Sequence, residues 1–261
     1  MAPSWSPCGK EGTFEITNDQ WDKFTASLGV PVTGVPSSAY DTSAYWGGTN
    51  SPTDMVSWCE AAQFVNWLNT NTGHQAAYKF TGTQGTSDYT LGTWTAAEAD
   101  GGTNLFRHKD ALYFLPTEDE WVKAAYWNGA TLQTYATMDG ALPVAGTDTN
   151  YYYAVGEPWD VGSGSEELNG TFDMMGNLCE WMESPYSSGD YGTGSRRVKR
   201  GGGYGNGGGG LPSSTRGYYY PYYEDIIFNA GFRVASEVPE PCSLALLSLG
   251  GLALIKRRRT T

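Results

Sequence analysis

The sequence predicts an α+β domain with few helices, short strands and much irregular chain. Three observations predict it. Helix-capping signals followed by amphipathic spacing occur three times, all before residue 127. Glycine makes up 35 of 261 residues and, with Pro, Asn and Thr, interrupts every longer periodic run. Beyond residue 130 little helical pattern survives, and no repeat recurs at a fixed period.

The first helix signal is the T-x-x-Q capping box at Thr17 and Gln20, followed by Trp21, Phe24 and Leu28 and stopped by Gly29. The second is an S-x-x-E box at Ser57 and Glu60. Behind it Ala61, Phe64, Val65 and Leu68 recur at helical spacing, and Gly73 closes the segment. The third is Thr117 with Glu120, placed by Pro116 and followed by Trp121, Ala124 and Ala125. Residues 81–105 are short runs of Gly, Thr, Ser and Asp and read as long loops. Strand candidates are 197–200, 226–228 and 231–235, and the elements share one core.

Composition excludes several classes. Aromatics are 14% and charged residues only 17%, the reverse of a disordered acidic chain. The interrupted periodicity excludes a coiled coil. A net charge of −12 argues against a nucleic-acid surface, which needs clustered Lys and Arg. That charge is uneven: four of the 16 basic residues are Lys256, Arg257, Arg258 and Arg259, so the preceding body carries −16. Cys8, Cys59, Cys179 and Cys242 form no C-x-x-C pair and match no zinc ribbon. They read as small buried residues, with one disulfide among the first three open to an exported protein. His74 and His108, the two histidines, read as surface loop residues and do not make a metal site or a hydrolase triad.

The chain ends on a distinct segment: Pro239, Glu240 and Pro241, an apolar run over 242–255, then Arg257, Arg258 and Arg259. A 14-residue helix covers about 21 Å at 1.5 Å per residue, short of a ~30 Å hydrocarbon core, and the basic end fits the cytoplasmic face. This segment resembles the PEP-CTERM sorting signal. The resemblance implies an exosortase-type membrane protease as partner, transient membrane insertion through the tail, and cleavage near the Pro-Glu-Pro motif. The protein would then be exported to the cell surface or extracellular matrix. A tail anchor that stays in place is the alternative. Export also needs an N-terminal signal, and residues 1–16 show no basic or apolar region of that kind, so an upstream start is expected.

Five blocks then line up: EITNDQWDKF (15–24), PTDMVSWCEAAQFVNWLN (52–69), LPTEDEWVKAAY (115–126), FDMMGNLCEW (172–181), and RVKRGG (197–202) with AGFRVA (230–235). In this order they resemble the formylglycine-generating enzyme, or sulfatase-modifying factor, domain over residues 14–236. Residues 1–13 then form a remnant and 237–261 the sorting tail. The resemblance implies a variant of the C-type-lectin-like fold, with few helices, small twisted sheets and much loop. Within the blocks, Gly176 is expected to permit a turn closed to other residues, Trp181 to fill the core, Gly231 to allow close approach, and Arg233 to fork onto a buried carboxylate.

The resemblance also implies a structural calcium ion on the side chains of Asp173 and Glu180 and the carbonyls of Gly176 and Leu178, with Asn150 as a further ligand. Hard cations take six to eight oxygens. The alternative reading of the same residues has Asp173 capping a turn and Glu180 paired to an arginine.

The active enzymes of this family oxidise a sulfatase cysteine, using copper on two thiolates. The matching positions here hold Asn206 and Leu211, and no cysteine lies between Cys179 and Cys242. An amide and an alkyl group do not hold Cu(I), so copper is not expected. Only a meeting of Cys59 with Cys179 would replace the pair. Two histidines also leave no room for the His-rich iron domain of related ergothioneine-pathway enzymes.

The matching region instead holds eight Gly within 201–210 and five Tyr within 218–223. Rigid tyrosines among adaptable glycines compose a binding surface. The same position carries the variable segment of diversified lectin-like proteins, and the stretch 201–229 is its counterpart. The expected function is a non-catalytic surface or matrix module. It would take a glycan or protein ligand through Tyr204, Asn206, Tyr218, Tyr219, Tyr220, Tyr222 and Tyr223. The alternatives are residues that fill an eroded cleft, a formylglycine-generating oxidase, and a matrix component with no discrete ligand.

Overall fold

The computed structural model describes residues 12–28, 46–84, 88–223 and 230–236. The sorting tail, Cys8, Cys242 and the strand candidate 226–228 lie outside them.

All three helices form where their caps predict. Helix α1 spans Asn18–Leu28, and Thr17 N–H donates to Gln20 Oε1 at 2.9 Å. Helix α2 spans Trp58–Asn71 and α3 spans Glu118–Tyr126; Ser57 with Glu60 and Thr117 with Glu120 close complete capping boxes. Among the described residues, no helix is long and apolar enough to cross a membrane.

The stretch expected as loop is partly strand. Strands β1 (Phe80–Thr81) and β2 (Thr90–Leu91) pair antiparallel, as do β3 (Ala99–Asp100) and β4 (Asn104–His108). Three of these pieces, β1, β2 and β3, have two residues each and leave no alternation to read, and β4 begins only at the end of the stretch. His108 therefore ends a strand, half-buried against the Trp94 ring at 4.6 Å, rather than lying in a loop. His74 is exposed. Strand β5 (Tyr113–Phe114) pairs with the last strand, β10 (Ala235–Ser236).

The principal sheet has the order β8-β7-β6-β9, with β6 at Cys179–Pro185, β7 at Arg197–Arg200, β8 at Gly217–Tyr219 and β9 at Ala230–Gly231. The pairings β8–β7 and β7–β6 are antiparallel, whereas β9 joins β6 in parallel. The predicted strand 197–200 is β7. The candidate 231–235 is divided between β9 and β10, because Phe232 to Val234 crosses from one sheet to the other along the N-terminal segment. There Ile16 N–H donates to Phe232 O and Gly12 N–H to Val234 O.

Alternation along β6 explains why the core is layered rather than single. Trp181 packs with Phe24, Trp58, Phe64 and Phe232 on one face; its neighbour Met182 packs with Trp121, Tyr126 and Val198 on the other. Gly231 admits a close approach, since a Cβ there would stand 2.8 Å from Thr53 O. The fold is thus an α+β arrangement of three helices and small, mostly antiparallel sheets.

Candidate functional site

After β7 the chain turns sharply. Gly201 and Gly202 have φ of +90° and +71°, and a Cβ on Gly201 would meet Met174 O at 2.8 Å. The glycine-rich loop then folds on itself. Asn206 Oδ1 accepts from Gly203 N–H at 2.7 Å, and a 3-10 turn follows at Gly208–Gly210. The loop docks on the 151–153 segment, where Tyr152 and Tyr153 N–H donate to Asn206 O and Tyr204 O, both at 2.8 Å. Tyr152 and Tyr153 adopt φ of +59° and +55°, uncommon for non-glycine residues. Their rings are 73% and 67% exposed.

Between this loop, β7 and β8 lies a cleft of about 220 Å³. Cys179 stands in its wall, and its thiol lies 3.7 Å from Asn206 Oδ1. Lys199 points its ammonium over Trp181 and Tyr219, at 5.7 and 5.6 Å from the ring centroids. Burial pushes the Cys179 thiol up, so it stays protonated, although Lys199 opposes the shift. Burial pushes Lys199 down, with Cys179 opposing. Leu211, at the other implied thiolate position, is fully buried in the second core layer.

One protonated thiol, one amide and one buried alkyl chain do not fit a copper ion, which needs soft thiolate donors. Cys59 does not complete the set: it is fully buried and lies beside Arg197, and both cysteines are free thiols.

The tyrosines of 218–223 divide between solvent and core, by alternation along β8 at Tyr218 and Tyr219 and by the turn that follows it at Tyr222 and Tyr223. Tyr218, Tyr220 and Tyr223 face out at 41, 43 and 56% exposure, whereas Tyr219 and Tyr222 pack against the core. The outward rings form a cation–aromatic stack: Arg196 lies 4.6 Å from Tyr218 and 5.1 Å from Tyr220, and Tyr218 lies 4.3 Å from Tyr186. Tyr204 is half-buried between Trp46 and Tyr153, with ring centroids 6.0 and 5.8 Å away.

Sequence reasoning missed Cys179 and Lys199 in the cleft, Arg196 and Arg216 on its rim, and the exposed pair Tyr152 and Tyr153. The run of three tyrosines at 151–153 was the available signal for the last. Cys179 and Lys199 reach the cleft from different strands, which no local pattern announces.

Of the residues assigned to calcium, the two carboxylates, Asp173 and Glu180, face N–H donors. Asp173 Oδ1 accepts from Trp159 Nε1 at 2.8 Å and Oδ2 from Gly162 N–H at 2.7 Å. Both Glu180 oxygens accept from Arg233, and Oε2 also from Trp121 Nε1 at 2.7 Å. Leu178 N–H donates to Glu15 Oε1 at 3.1 Å. Gly176 has φ +78°, and a Cβ on it would meet Asn150 O at 2.3 Å. Asn150 Nδ2 donates to Glu157 O at 2.8 Å, and its Oδ1 is a buried acceptor without a partner. A guanidinium set against Glu180 does not fit a calcium ion on these carboxylates. Among the described residues no group of three or more His, Cys, Asp or Glu could hold a metal. Adding EDTA to the purified protein is expected to leave Tm unchanged; a fall would show that a cation binds here after all.

This region concentrates buried acid. Burial, partly opposed by Arg233, pushes Glu167 up to about 8. Burial and the Asp173 charge push Glu15 up, and burial raises Asp173. The folded state therefore holds protons that the unfolded chain, titrating near the ordinary 4.5 for glutamate, releases. That stability is fully present below about pH 4.5 and is lost as pH rises toward 8. Tm is expected to be roughly 5–10 °C higher at pH 5 than at pH 8. An equal or higher Tm at pH 8 would show that these carboxylates are not proton-loaded.

Comparison with known proteins follows the same outline. Residues 12–238 match a family model described as the sulfatase-modifying factor enzyme 1-like domain. No curated protein matches in sequence. Solved structures share the fold. Treponema denticola variable protein 1 is 18% identical, with a TM-score of 0.61 over 87% of this chain and 84% of its own. CarF is 23% identical, with 0.56 over 88% and 86%. PvdO from Pseudomonas aeruginosa is 18% identical, with 0.59 over 87% and 80%.

Proposed function

The chain belongs to the sulfatase-modifying factor family, and from that premise we propose that it is a binding module that uses the family cleft for recognition instead of thiol oxidation. The observation that carries this reading is the content of the cleft. The implied thiolate positions hold Asn206 and the buried Leu211, and the thiol that enters, Cys179, is kept protonated by burial. A binding role also suits the exposed aromatic faces around it, because Tyr gives large contact area at low entropy cost. The tail's resemblance to a sorting signal supports an exported module, retained at the cell surface or in the extracellular matrix after an exosortase-type protease removes the tail.

A second reading, residual oxidation of a sulfatase cysteine, rests on Cys179 lying next to Asn206. One assay separates the two. Purified protein is loaded with copper and offered a C-x-P-x-R peptide while oxygen consumption and peptide mass are followed. Neither oxygen uptake nor formylglycine is expected. Turnover that Cys179→Ala abolishes would replace binding by oxidation.

A further inference from the structure

A second groove, of about 400 Å³, opens between the 137–144 loop, Asp148 and residues 165–167, and it shares no lining residue with the cleft. Met138, Leu142 and Val144 line it and are 61, 52 and 59% exposed. Among the described residues, every exposed Leu, Val and Met lies within 132–155. Single apolar side chains scattered over a surface need no explanation, but several on one groove mark a docking surface.

The loop that carries them is held in shape. Thr137 Oγ1 donates to Ala141 O at 2.7 Å, and Val144 N–H donates to Asp148 Oδ2 at 2.8 Å. The exposure is therefore built into a fixed frame, which lowers the entropy cost of binding. The groove reaches the glycine-rich loop. A Cβ on Gly208 would lie 3.6 Å from Leu142, and one on Gly207 would lie 3.9 Å from the exposed ring of Tyr152.

Charge identifies the occupant. Residues 124–195 contain ten Asp and Glu and no Lys or Arg. Three of these acids, Asp139, Asp148 and Glu166, line the groove. The Ala141 amide donates to Asp139, and the Val144 amide and Ser165 hydroxyl donate to Asp148; neutral donors leave both charges in place. Among the described residues no Lys or Arg pairs with any of the three. Glu167, also in the wall, is buried and keeps its proton at neutral pH, so it adds no charge.

Going beyond the reading of the cleft, we propose that this groove docks a basic amphipathic segment of a partner protein. An aliphatic anchor seats against Met138, Leu142 and Val144, and flanking Lys or Arg side chains meet Asp139, Asp148 and Glu166. A second copy of this chain suits the groove poorly, because two chains of −12 each repel. Nucleic acid and anionic lipid are repelled by the same sign of charge.

The test is calorimetric titration of the full chain with the synthetic peptide LKKLLKLLKKLLKL and with its acidic counterpart LEELLELLEELLEL. Saturable one-to-one binding of the basic peptide is expected, about tenfold or more tighter than that of the acidic one, and weakening as NaCl is raised from about 50 to 500 mM. Met138→Ser combined with Leu142→Ser should cost about tenfold in affinity without lowering Tm, since both side chains face solvent. Asp139→Asn combined with Glu166→Gln should cost about threefold or more. Asp22→Asn combined with Asp110→Asn, the same charge change at exposed sites elsewhere, should cost less than about twofold. Equal losses in the two acid pairs would mean diffuse attraction to the net charge and would overturn the proposal. Wild-type affinity in the Met138 and Leu142 variant, equal binding of the acidic peptide, or no binding would each do the same. So would a concentration-dependent dimer that this variant abolishes, which would assign the groove to a second copy. So would binding gained only in Arg257→Glu, Arg258→Glu and Arg259→Glu together, which would assign it to the chain's own basic end. Turnover in the copper assay bears on the cleft alone, so the two readings stand or fall separately.

Discussion

Arg233→Met is expected to lower stability to urea by about 3–5 kcal/mol, the cost of stranding a buried carboxylate. Arg233 and Glu180 are both fully buried, and the guanidinium forks onto both carboxylate oxygens. It also donates to Gly12 O and Phe172 O at 3.0 Å each, so it ties the N-terminal segment to the 172–180 turn. The Arg233 charge moderates the burial-driven rise of Glu15 and Glu167. The loss should therefore be larger at pH 8, where those acids would ionise, than at pH 5. Glu180→Gln in the Arg233→Met background should recover part of it, because the stranded charge is gone while an acceptor remains for Trp121 Nε1. A loss below about 1 kcal/mol, typical of surface ion pairs, would show that this pair does not hold the turn.

Arg107→Met should cost about as much, roughly 3 kcal/mol or more. Arg107 is 2% exposed and its guanidinium lies 3.5 Å from the Phe114 ring centroid. It bridges Glu183, which is fully buried, and Glu120, with N–O distances of 2.9 Å to each. Glu120 also closes the α3 capping box, and Glu183 accepts from Tyr78 Oη at 2.8 Å, which itself accepts from Leu115 N–H. Arg107→Lys should recover less than half of the loss, since a single ammonium cannot serve two carboxylates with the fork geometry of a guanidinium. Full recovery by lysine in chemical denaturation would mean that charge alone suffices.

These two arginines mark how far the sequence could be read. Arg233 lies in a family block, and its fork onto a buried carboxylate was expected there. Arg107 lies just beyond a stretch expected as loop, on a strand whose partner is two residues long. The helices were legible because a capping box and a 3.6-residue period are local properties of about ten consecutive residues. Strand β6 was not, because both of its faces are buried and it carries Glu180 and Glu183 among apolar residues. Those acids are tolerated only because Arg233 and Arg107 arrive from elsewhere in the chain.

The cleft divides the same way. That its segment is rich in glycine and tyrosine follows from the order of residues alone, and the resemblance to the family implies that Asn206 and Leu211 stand at the thiolate positions. The capped helices, the short strand 197–200 and the excess of acid over base also follow from the order of residues. Tertiary structure alone decided which tyrosines face outward, that Cys179 and Lys199 share the cleft wall, and that Asp173 and Glu180 meet N–H donors. The reason is range: caps, turns and periodicity act between neighbours. Whether a carboxylate meets a cation or an arginine depends on segments brought together from opposite ends of the domain, and burial makes that partner obligatory.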